Sequence, residues 1–205
     1  MQLTPNVVDC SHYDNVTSWA SVKSFGILGF INKVTEGPGM TDKTFAIRRA
    51  PCAAQDILYG AYHFLRPGSI PDQVDHFLNS TVPQDNLLLA LDHEDPKVPL
   101  ANARAFMELV YKELNRYPIL YSGFLIKQQL GQTVDPFWQK IKLWLSHYSA
   151  NPTWPRCWAQ PWLCQFTGDG LGPGPHQIPG IEIENGCDVD SYSGTVDQLR
   201  SEWAA

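Results

Sequence analysis

The feature that most constrains the fold is a run of five consecutive apolar residues at positions 87–91, which ends at Asp92. A strand with one face in water alternates apolar and polar residues, and this run shows no alternation. Strands of this kind are typical of parallel sheets that are covered on both faces. The run therefore favours an α/β fold in which helices pack around a parallel sheet.

Strand-like and helix-like segments alternate along the chain up to residue 130. The predicted strands lie at residues 6–9, 27–34, 57–64, 87–92 and 118–121, and the predicted helices at residues 19–25, 45–55, 72–79, 100–116 and 125–130. Three further strands are predicted at residues 142–148, 162–166 and 187–192, separated by segments rich in Pro, Gly and Trp that have no helical pattern. Five strand–helix units followed by three strands predict a single α/β domain, a modified TIM-type (β/α)5β3 barrel.

The composition argues against several classes of protein. The 205 residues are enough for one well-buried domain, and their net charge of −6 argues against nucleic-acid binding, which needs Lys and Arg to neutralise phosphates. No run approaches the roughly eighteen apolar residues of a membrane helix. The five cysteines are scattered and form no CxxC pair, so we expect small buried apolar residues, and neither a disulfide-stapled fold nor a zinc site.

Polar residues concentrate at the ends of the predicted strands, where the active site of a (β/α) barrel lies. Carboxylates end the first, fourth and last strands: Asp9, then Asp92 and Glu94, then Asp188 and Asp190. Because the first and last strands are neighbours in a closed barrel, we expect Asp9 and Asp188 to lie near each other. The other candidate site residues at strand ends are Lys33, Tyr62, Tyr121, Trp144, Tyr148 and Gln165.

The triplet Asp92-His93-Glu94 places two carboxyls two residues apart. Residues i and i+2 of a strand point to the same side, so Asp92 and Glu94 should share a face and His93 should turn away. Two carboxyls this close in a partly dry cleft cannot both ionise cheaply, so one is held as an acid near neutral pH. Protonation of a glycosidic oxygen requires such an acid. A plain acidic loop, or an N-cap of the next helix, is the alternative interpretation of the triplet.

Three other functions would draw on similar residues. His63, Asp92, His93 and Asp190 could form a metal site, but His93 should face away from Asp92, so we expect no metal and no other cofactor. A Cys–His hydrolase needs a cysteine at the start of a helix that follows a strand, and no cysteine has that position. A carbohydrate-binding barrel without catalysis would also be rich in aromatic residues. Composition leaves this last possibility open, although a pure binder has no need of a carboxyl held as an acid.

Seven segments of the chain extend the pattern of polar strand ends. They are VDCSHY at residues 8–13, KVTEG at 33–37, GAYHF at 60–64, LALDHE at 89–94, Leu120-Tyr121-Ser122, LWLSHY at 143–148 and CDVD at 187–190. In this order and at this spacing they resemble glycoside hydrolase family 25, the Chalaropsis-type lysozymes or N-acetylmuramidases, which include many phage endolysins. The sequence departs from the family at Cys164, where Trp often precedes the Gln, and at Cys10, where a small aliphatic residue is common.

The resemblance implies the same (β/α)5β3 barrel and a function. The enzyme would hydrolyse the β-1,4 bond between N-acetylmuramic acid and N-acetylglucosamine in peptidoglycan. Glu94 would be the general acid, and Asp92 would orient the substrate's 2-acetamido group, which itself attacks the anomeric carbon. Asp9 and Asp188 would line the cleft, bind sugar hydroxyls and adjust the pKa of Glu94. The residues that would bind or support the sugar are Tyr62, Tyr121, Trp144, Tyr148, Lys33 and Gln165.

The resemblance also yields expectations about context. Residues 1–205 would form one catalytic domain without a separate wall-binding domain, acting as a monomer on peptidoglycan glycan strands and not on nucleic acid or a membrane. The N-terminal residues lack the basic start and apolar stretch of a signal peptide, so we expect synthesis in the cytoplasm and release as an endolysin, or else secretion. A glycosidase acting on another N-acetylated polysaccharide is the alternative. The segment 168–186 is expected to be a surface loop or a short hairpin, and a plain loop is favoured over one that shapes the cleft.

Overall fold

The computed structural model of the protein describes residues 3–205. Its strands are β1 Val7–Cys10, β2 Asn15–Val16, β3 Gly29–Glu36, β4 Met40–Thr41, β5 Leu58–Phe64, β6 Leu88–Asp92, β7 Ile119–Ser122, β8 Leu143–Ser146, β9 Leu163–Thr167, β10 Ile181–Glu182 and β11 Asp188–Tyr192. Its helices are α1 Trp19–Phe25, α2 Thr44–Ala54, α3 Ile70–Thr81, α4 Leu100–Leu114, α5 Phe124–Leu130 and α6 Val196–Glu202, with a short 3-10 turn at Trp138–Lys140.

Eight of these strands close into a barrel. Their order is β1-β11-β9-β8-β7-β6-β5-β3, and β3 pairs back to β1. Neighbouring strands are parallel except around β11, which runs antiparallel to both β9 and β1. Helices α1 to α5 follow β1, β3, β5, β6 and β7 in turn, and no helix separates β9 from β11 within the described residues. The predicted (β/α)5β3 barrel is therefore confirmed.

Strand β6 shows why the apolar run at residues 87–91 requires this architecture. Leu88 and Ala90 pack with the cluster inside the barrel, whereas Leu89 and Leu91 pack with the larger cluster between barrel and helices. All five residues of β6 are buried. The side chains on both faces of β6 are therefore removed from water, and this favours a continuous apolar sequence over an alternating one.

The seam between the first and last strands brings distant parts of the chain together. In the register of β1 with β11, Val7 lies opposite Asp190 and Asp9 lies opposite Asp188. Because β11 is antiparallel, its first residue meets the last part of β1 at the carboxyl edge of the barrel. The expected proximity of Asp9 and Asp188 is thus confirmed.

Helix α6, which follows the last strand, lies outside the predicted elements. Thr195 caps it through a reciprocal capping box, in which the Thr195 hydroxyl accepts from the Gln198 N–H and the Gln198 side chain accepts from the Thr195 N–H. This T-x-x-Q pattern is a known signal for a helix start. Leu199 of this helix and the following Trp203 pack into the cluster inside the barrel.

The cysteines and helices also match the expectations from composition. All five cysteines are buried, as predicted, and all are free, and Cys10 packs into the cluster outside the barrel, away from its interior. Across residues 3–205, the helices are too short or too polar for any of them to traverse a lipid bilayer.

Gly29 provides a test of packing at the base of the barrel. A Cβ at this position would lie 2.5 Å from Cη2 and 2.7 Å from Cζ3 of Trp203, whose ring is buried and whose Nε1–H donates to the Tyr59 carbonyl at 2.8 Å. We expect Gly29→Ala to lower the free energy of unfolding by about 2 kcal/mol, measured by urea denaturation. Gly39→Ala is the matched control, because a Cβ there has no neighbour within 4 Å. Equal stability of the two variants would contradict this account of the barrel base.

Candidate active site

A cavity of about 250 Å³ opens at the carboxyl edge of the barrel. Nine of the ten predicted site residues line it: Asp9, Lys33, Tyr62, Asp92, Glu94, Tyr121, Trp144, Tyr148 and Asp188. They lie on, or directly after, seven different strands and are brought together by closure of the barrel. The remaining one, Gln165, lies beneath the lining and does not reach the cavity surface.

The two carboxyls of the triplet face the cavity together, as the strand geometry predicts. Asp92 is the last residue of β6, and both it and Glu94 line the cavity. His93 turns away, donating from Nε2 to Gln129 Oε1 at 2.7 Å, and its backbone N–H donates to the Tyr121 carbonyl at 2.9 Å. The His93 side chain thus ties the end of β6 to α5 and takes no part in the cavity.

Burial and mutual repulsion raise the proton affinity of this pair. Burial, followed by repulsion from Glu94, raises the pKa of Asp92 well above its usual range, while the charge of Lys33 opposes this rise. Burial, followed by repulsion from Asp169, raises the pKa of Glu94 to about 6. Asp92 Oδ1 is buried without a hydrogen-bond partner among the described residues. The pair can therefore hold a proton near neutral pH.

A second group of carboxyls lies at the seam of β1 and β11. Burial raises the pKa of Asp9 and of Asp190 well above the usual range, and the charge of Asp190 raises the pKa of Asp9 further. Burial, followed by the charge of Asp9, raises the pKa of Asp188 to about 9. Asp188 Oδ1 is a second buried acceptor with no partner among the described residues.

A hydrogen-bond chain beneath the cavity fixes Asp9. Tyr121 Oη donates to Gln165 Oε1 at 2.7 Å, and Gln165 Nε2 donates to Asp9 Oδ2 at 2.7 Å. Trp144 Nε1 donates to Asp190 Oδ1 at 2.5 Å. The structure therefore places Gln165, predicted as a sugar contact, as a buried link between two lining residues.

Lys33 is a buried cation beside the acidic cavity, but its direct partner is not one of the predicted carboxylates. Its Nζ donates to Glu36 Oε2 at 2.5 Å, and Glu36 also accepts from Arg66 Nε at 2.8 Å. Lys33 acts on Asp92 through its charge rather than through a hydrogen bond.

Aromatic side chains form the walls of the cavity. Trp144 is 1% exposed and lies edge-on to Tyr62 and Tyr121, with ring centroids 6.4 Å and 4.5 Å away. Most of its ring is therefore covered by neighbouring rings, and only a small part reaches the cavity. Burial raises the pKa of Tyr62 and Tyr121 well above the usual range, so both phenols stay protonated and can donate hydrogen bonds.

The cavity also contains residues that the sequence analysis did not select: Ser11, Tyr13, Phe64 and Asp169. Asp169 corrects the expectation of a plain loop at 168–186, because this loop contributes a carboxylate to the cavity. A sequence signal existed, since Asp169-Gly170 directly after a strand is a typical hairpin-turn dipeptide. Within residues 3–205, no group of three or more His, Cys, Asp or Glu residues has a geometry suited to a metal ion.

The buried carboxyls make stability depend on pH. An unfolded aspartate loses its proton near pH 4, whereas the pKa of Asp188 in the folded state is about 9. The folded state binds more protons between these values, so the free energy of unfolding falls as pH rises through this range. We expect Asp188→Asn to raise the free energy of unfolding at pH 8 by about 1–3 kcal/mol and to change it little at pH 4.

Urea denaturation at pH 4, 6 and 8 measures this effect. Asp75→Asn is the control, because Asp75 is exposed on α3 and outside the cavity. A decline with pH that is as steep in Asp188→Asn as in the unmodified protein would contradict the buried-acid account.

Comparison with known proteins agrees with the fold. A model of glycosyl hydrolases family 25 matches residues 8–174. Lysozyme M1 of Streptomyces globisporus is 35% identical over 75 residues, which span 36% of this chain and about a quarter (26%) of that protein. The structure of the bacterial lysozyme from Streptomyces coelicolor superposes with a TM-score of 0.82 at 23% identity, covering 98% of both chains. The muramidase from Acremonium alcalophilum superposes with a TM-score of 0.79 at 21% identity, covering 96% of this chain and 97% of that one.

The two superpositions confirm the barrel architecture over almost the whole chain. The family match spans most of the described residues and contains all the cavity-lining residues except Asp188. The chain therefore belongs to glycosyl hydrolases family 25, as the resemblance of its seven segments implied.

Proposed function

We propose that this protein is a lysozyme of the muramidase type, which hydrolyses the β-1,4 bond between N-acetylmuramic acid and N-acetylglucosamine in peptidoglycan. The observation that carries the proposal is the state of Glu94. It stands two residues after a buried carboxyl, lines an acidic cavity, and has a pKa raised to about 6. Similar proteins described as lysozyme and muramidase support the choice of substrate.

Glu94 is the general acid in this proposal. Its carboxyl donates a proton to the glycosidic oxygen as the bond from that oxygen to the anomeric carbon breaks. A carboxyl with a pKa near 6 meets two requirements of a general acid. A useful fraction of it is protonated below neutral pH, and it still releases the proton readily.

Asp92 assists the substrate's own nucleophile. The oxygen of the 2-acetamido group attacks the anomeric carbon, while the unpartnered Asp92 Oδ1 accepts a hydrogen bond from the acetamido N–H. The charge of Lys33 favours the ionised form of Asp92 and opposes the burial and the Glu94 charge that raise its pKa. Water then opens the cyclic intermediate, with the Glu94 carboxylate taking the proton of the attacking water, which regenerates the acid.

The remaining cavity residues bind and support the sugar. Asp188 lines the cavity and binds a sugar hydroxyl in this proposal, and Tyr62 and Tyr148 present phenol groups to the same space. Asp9 is held from below by Gln165, so its position is set before substrate arrives. Lys33 and Trp144 complete the lining beside these groups.

The proposal extends to the setting of the enzyme. The substrate is the glycan strand of the bacterial cell wall, and the protein acts there as a monomer, either as a released endolysin or as a secreted enzyme. Residues 1–205 constitute the catalytic domain. Its acidic charge of −6 gives no general attraction to an anionic wall, so recognition depends on the cavity.

Substitution of the acid tests the assignment. We expect Glu94→Gln to lower the rate of lysis of purified peptidoglycan by about 10³-fold, because the amide cannot donate the proton that the leaving oxygen needs. Circular dichroism should remain unchanged, and thermal unfolding should show a variant at least as stable as the unmodified protein, because the substitution removes a buried carboxyl with a raised pKa. Glu113→Gln, at an exposed position on α4, is the matched control and should lyse at the normal rate.

Product analysis tests the bond. Mass spectrometry of the digest should find new reducing ends on N-acetylmuramic acid. Reducing ends on N-acetylglucosamine, freed peptides, or full activity of Glu94→Gln would overturn the proposal.

A further inference from the structure

The loop after β9 contains a tight turn that has Asp169 at one of its two central positions. Asp169 and Gly170 adopt φ values of 51° and 72°, and the Leu171 N–H donates to the Gly168 carbonyl at 2.8 Å. Two central residues with positive φ define a type I′ turn, in which Asp-Gly is a preferred pair. Thr167 Oγ1 donates to the Leu171 carbonyl at 2.7 Å and fixes the turn to the end of β9.

The turn fits closely against the cavity wall. A Cβ on Gly168 would collide with Asp188 Oδ1 and with the phenol of Tyr148, and a Cβ on Gly172 would collide with the Phe166 carbonyl. Only glycine therefore allows the turn to approach this closely. Asp169 itself occupies a backbone conformation that costs a non-glycine residue free energy, and such residues are concentrated at functional sites.

The carboxylate of Asp169 lies in the field of Glu94. Glu94 is faced by Asp92 on its own segment, by Tyr121 of β7, by Tyr148 after β8, by Asp188 of β11 and by Asp169 after β9. Among these, repulsion from Asp169 is the charge effect that raises the pKa of Glu94. Lys33 acts in the opposite sense on the other member of the pair, since its charge lowers the pKa of Asp92. Asp169 forms no ion pair in the described part of the chain.

We propose that Asp169 is a positioning residue, whose negative charge, held at the cavity by the type I′ turn, opposes ionisation of Glu94 and so helps this carboxyl keep its proton. Lys33 and Asp169 then act as opposite poles, one stabilising the carboxylate of Asp92 and the other destabilising the carboxylate of Glu94. The inference rests on the proposed function only in giving Glu94 the role of acid.

Asp169→Asn removes the charge and preserves the turn, because Asn tolerates positive φ and Asn-Gly is the preferred type I′ pair. We expect the pKa of Glu94 to fall by roughly 0.5. The basic limb of the pH–rate profile should move down equally, so that activity falls about threefold at pH 7 and changes little at pH 4.5. Asp169→Glu should restore most of the original profile, and Asp75→Asn should leave it unchanged.

The pKa of Glu94 is also measured directly, by ¹³C NMR titration of protein labelled at the glutamate carboxyl carbon. Its signal is identified by its loss in Glu94→Gln. An unchanged Glu94 titration in Asp169→Asn, or an equal shift in Asp169→Glu, overturns the inference. If the titration shifts as expected but Glu94→Gln still lyses peptidoglycan, the inference about charge holds and the proposed function fails.

Discussion

The antiparallel pairing of the last strand with the first is the contact on which the site depends. Seven of the eight barrel strands run in one direction, and each could deliver a side chain only from its final residues. Strand β11 enters at the same edge with its first residues, so Asp188 meets Asp9 although 179 positions separate them in the numbering (188 − 9). Without this closure the cavity would lose one wall, and Asp92 and Glu94 would face water rather than a partly dry cleft.

Closure of the barrel brings several carboxyl groups together in a cavity that contains little water. Asp9, Asp92, Asp188 and Asp190 all have pKa values raised above the usual range, with burial as the largest cause. One buried cation, Lys33, stands among them, and its direct ion-pair partner is Glu36. The arrangement disfavours ionisation and so works against stability at neutral pH, but it also holds protons that a solvent-exposed carboxyl would release. Conflict between stability and chemistry of this kind is common at catalytic sites.

The sequence predicted those parts of the molecule that follow from local periodicity. The unbroken run at 87–91 requires burial on both faces, and the i, i+2 rule requires Asp92 and Glu94 to share a side. The hydrogen-bond and ion-pair partners of long side chains could not be predicted from local periodicity. Gln165 was predicted at a strand end, but it lies in the middle of β9, and its amide joins Tyr121 and Asp9 beneath the cavity. Lys33 forms its ion pair with Glu36. Its flexible side chain of four methylenes could contact several nearby carboxylates, and strand spacing alone does not determine which one it contacts.

Two other features that the sequence analysis did not predict have local sequence signals, but these signals are not part of the apolar pattern. The capping box at Thr195 and Gln198 marks the start of α6, and Asp169-Gly170 marks a hairpin turn. Both depend on particular polar residues at particular positions rather than on hydrophobic periodicity. Their positions relative to the cavity could be found only from the three-dimensional structure, because a turn dipeptide does not identify the residues that its side chain contacts in the fold.

The placement of Asp169 on a surface turn has a consequence for how such an enzyme can change over time. The barrel strands bear tightly packed residues on both faces, so substitution there costs stability before it adjusts chemistry. A turn residue is exposed and can be exchanged for Asn or Glu without repacking anything. Under the role that we propose for Asp169, adaptation to a more acidic or more alkaline environment has a simple route, in which one loop position changes the pKa of Glu94 while the other cavity carboxyls and the barrel stay the same.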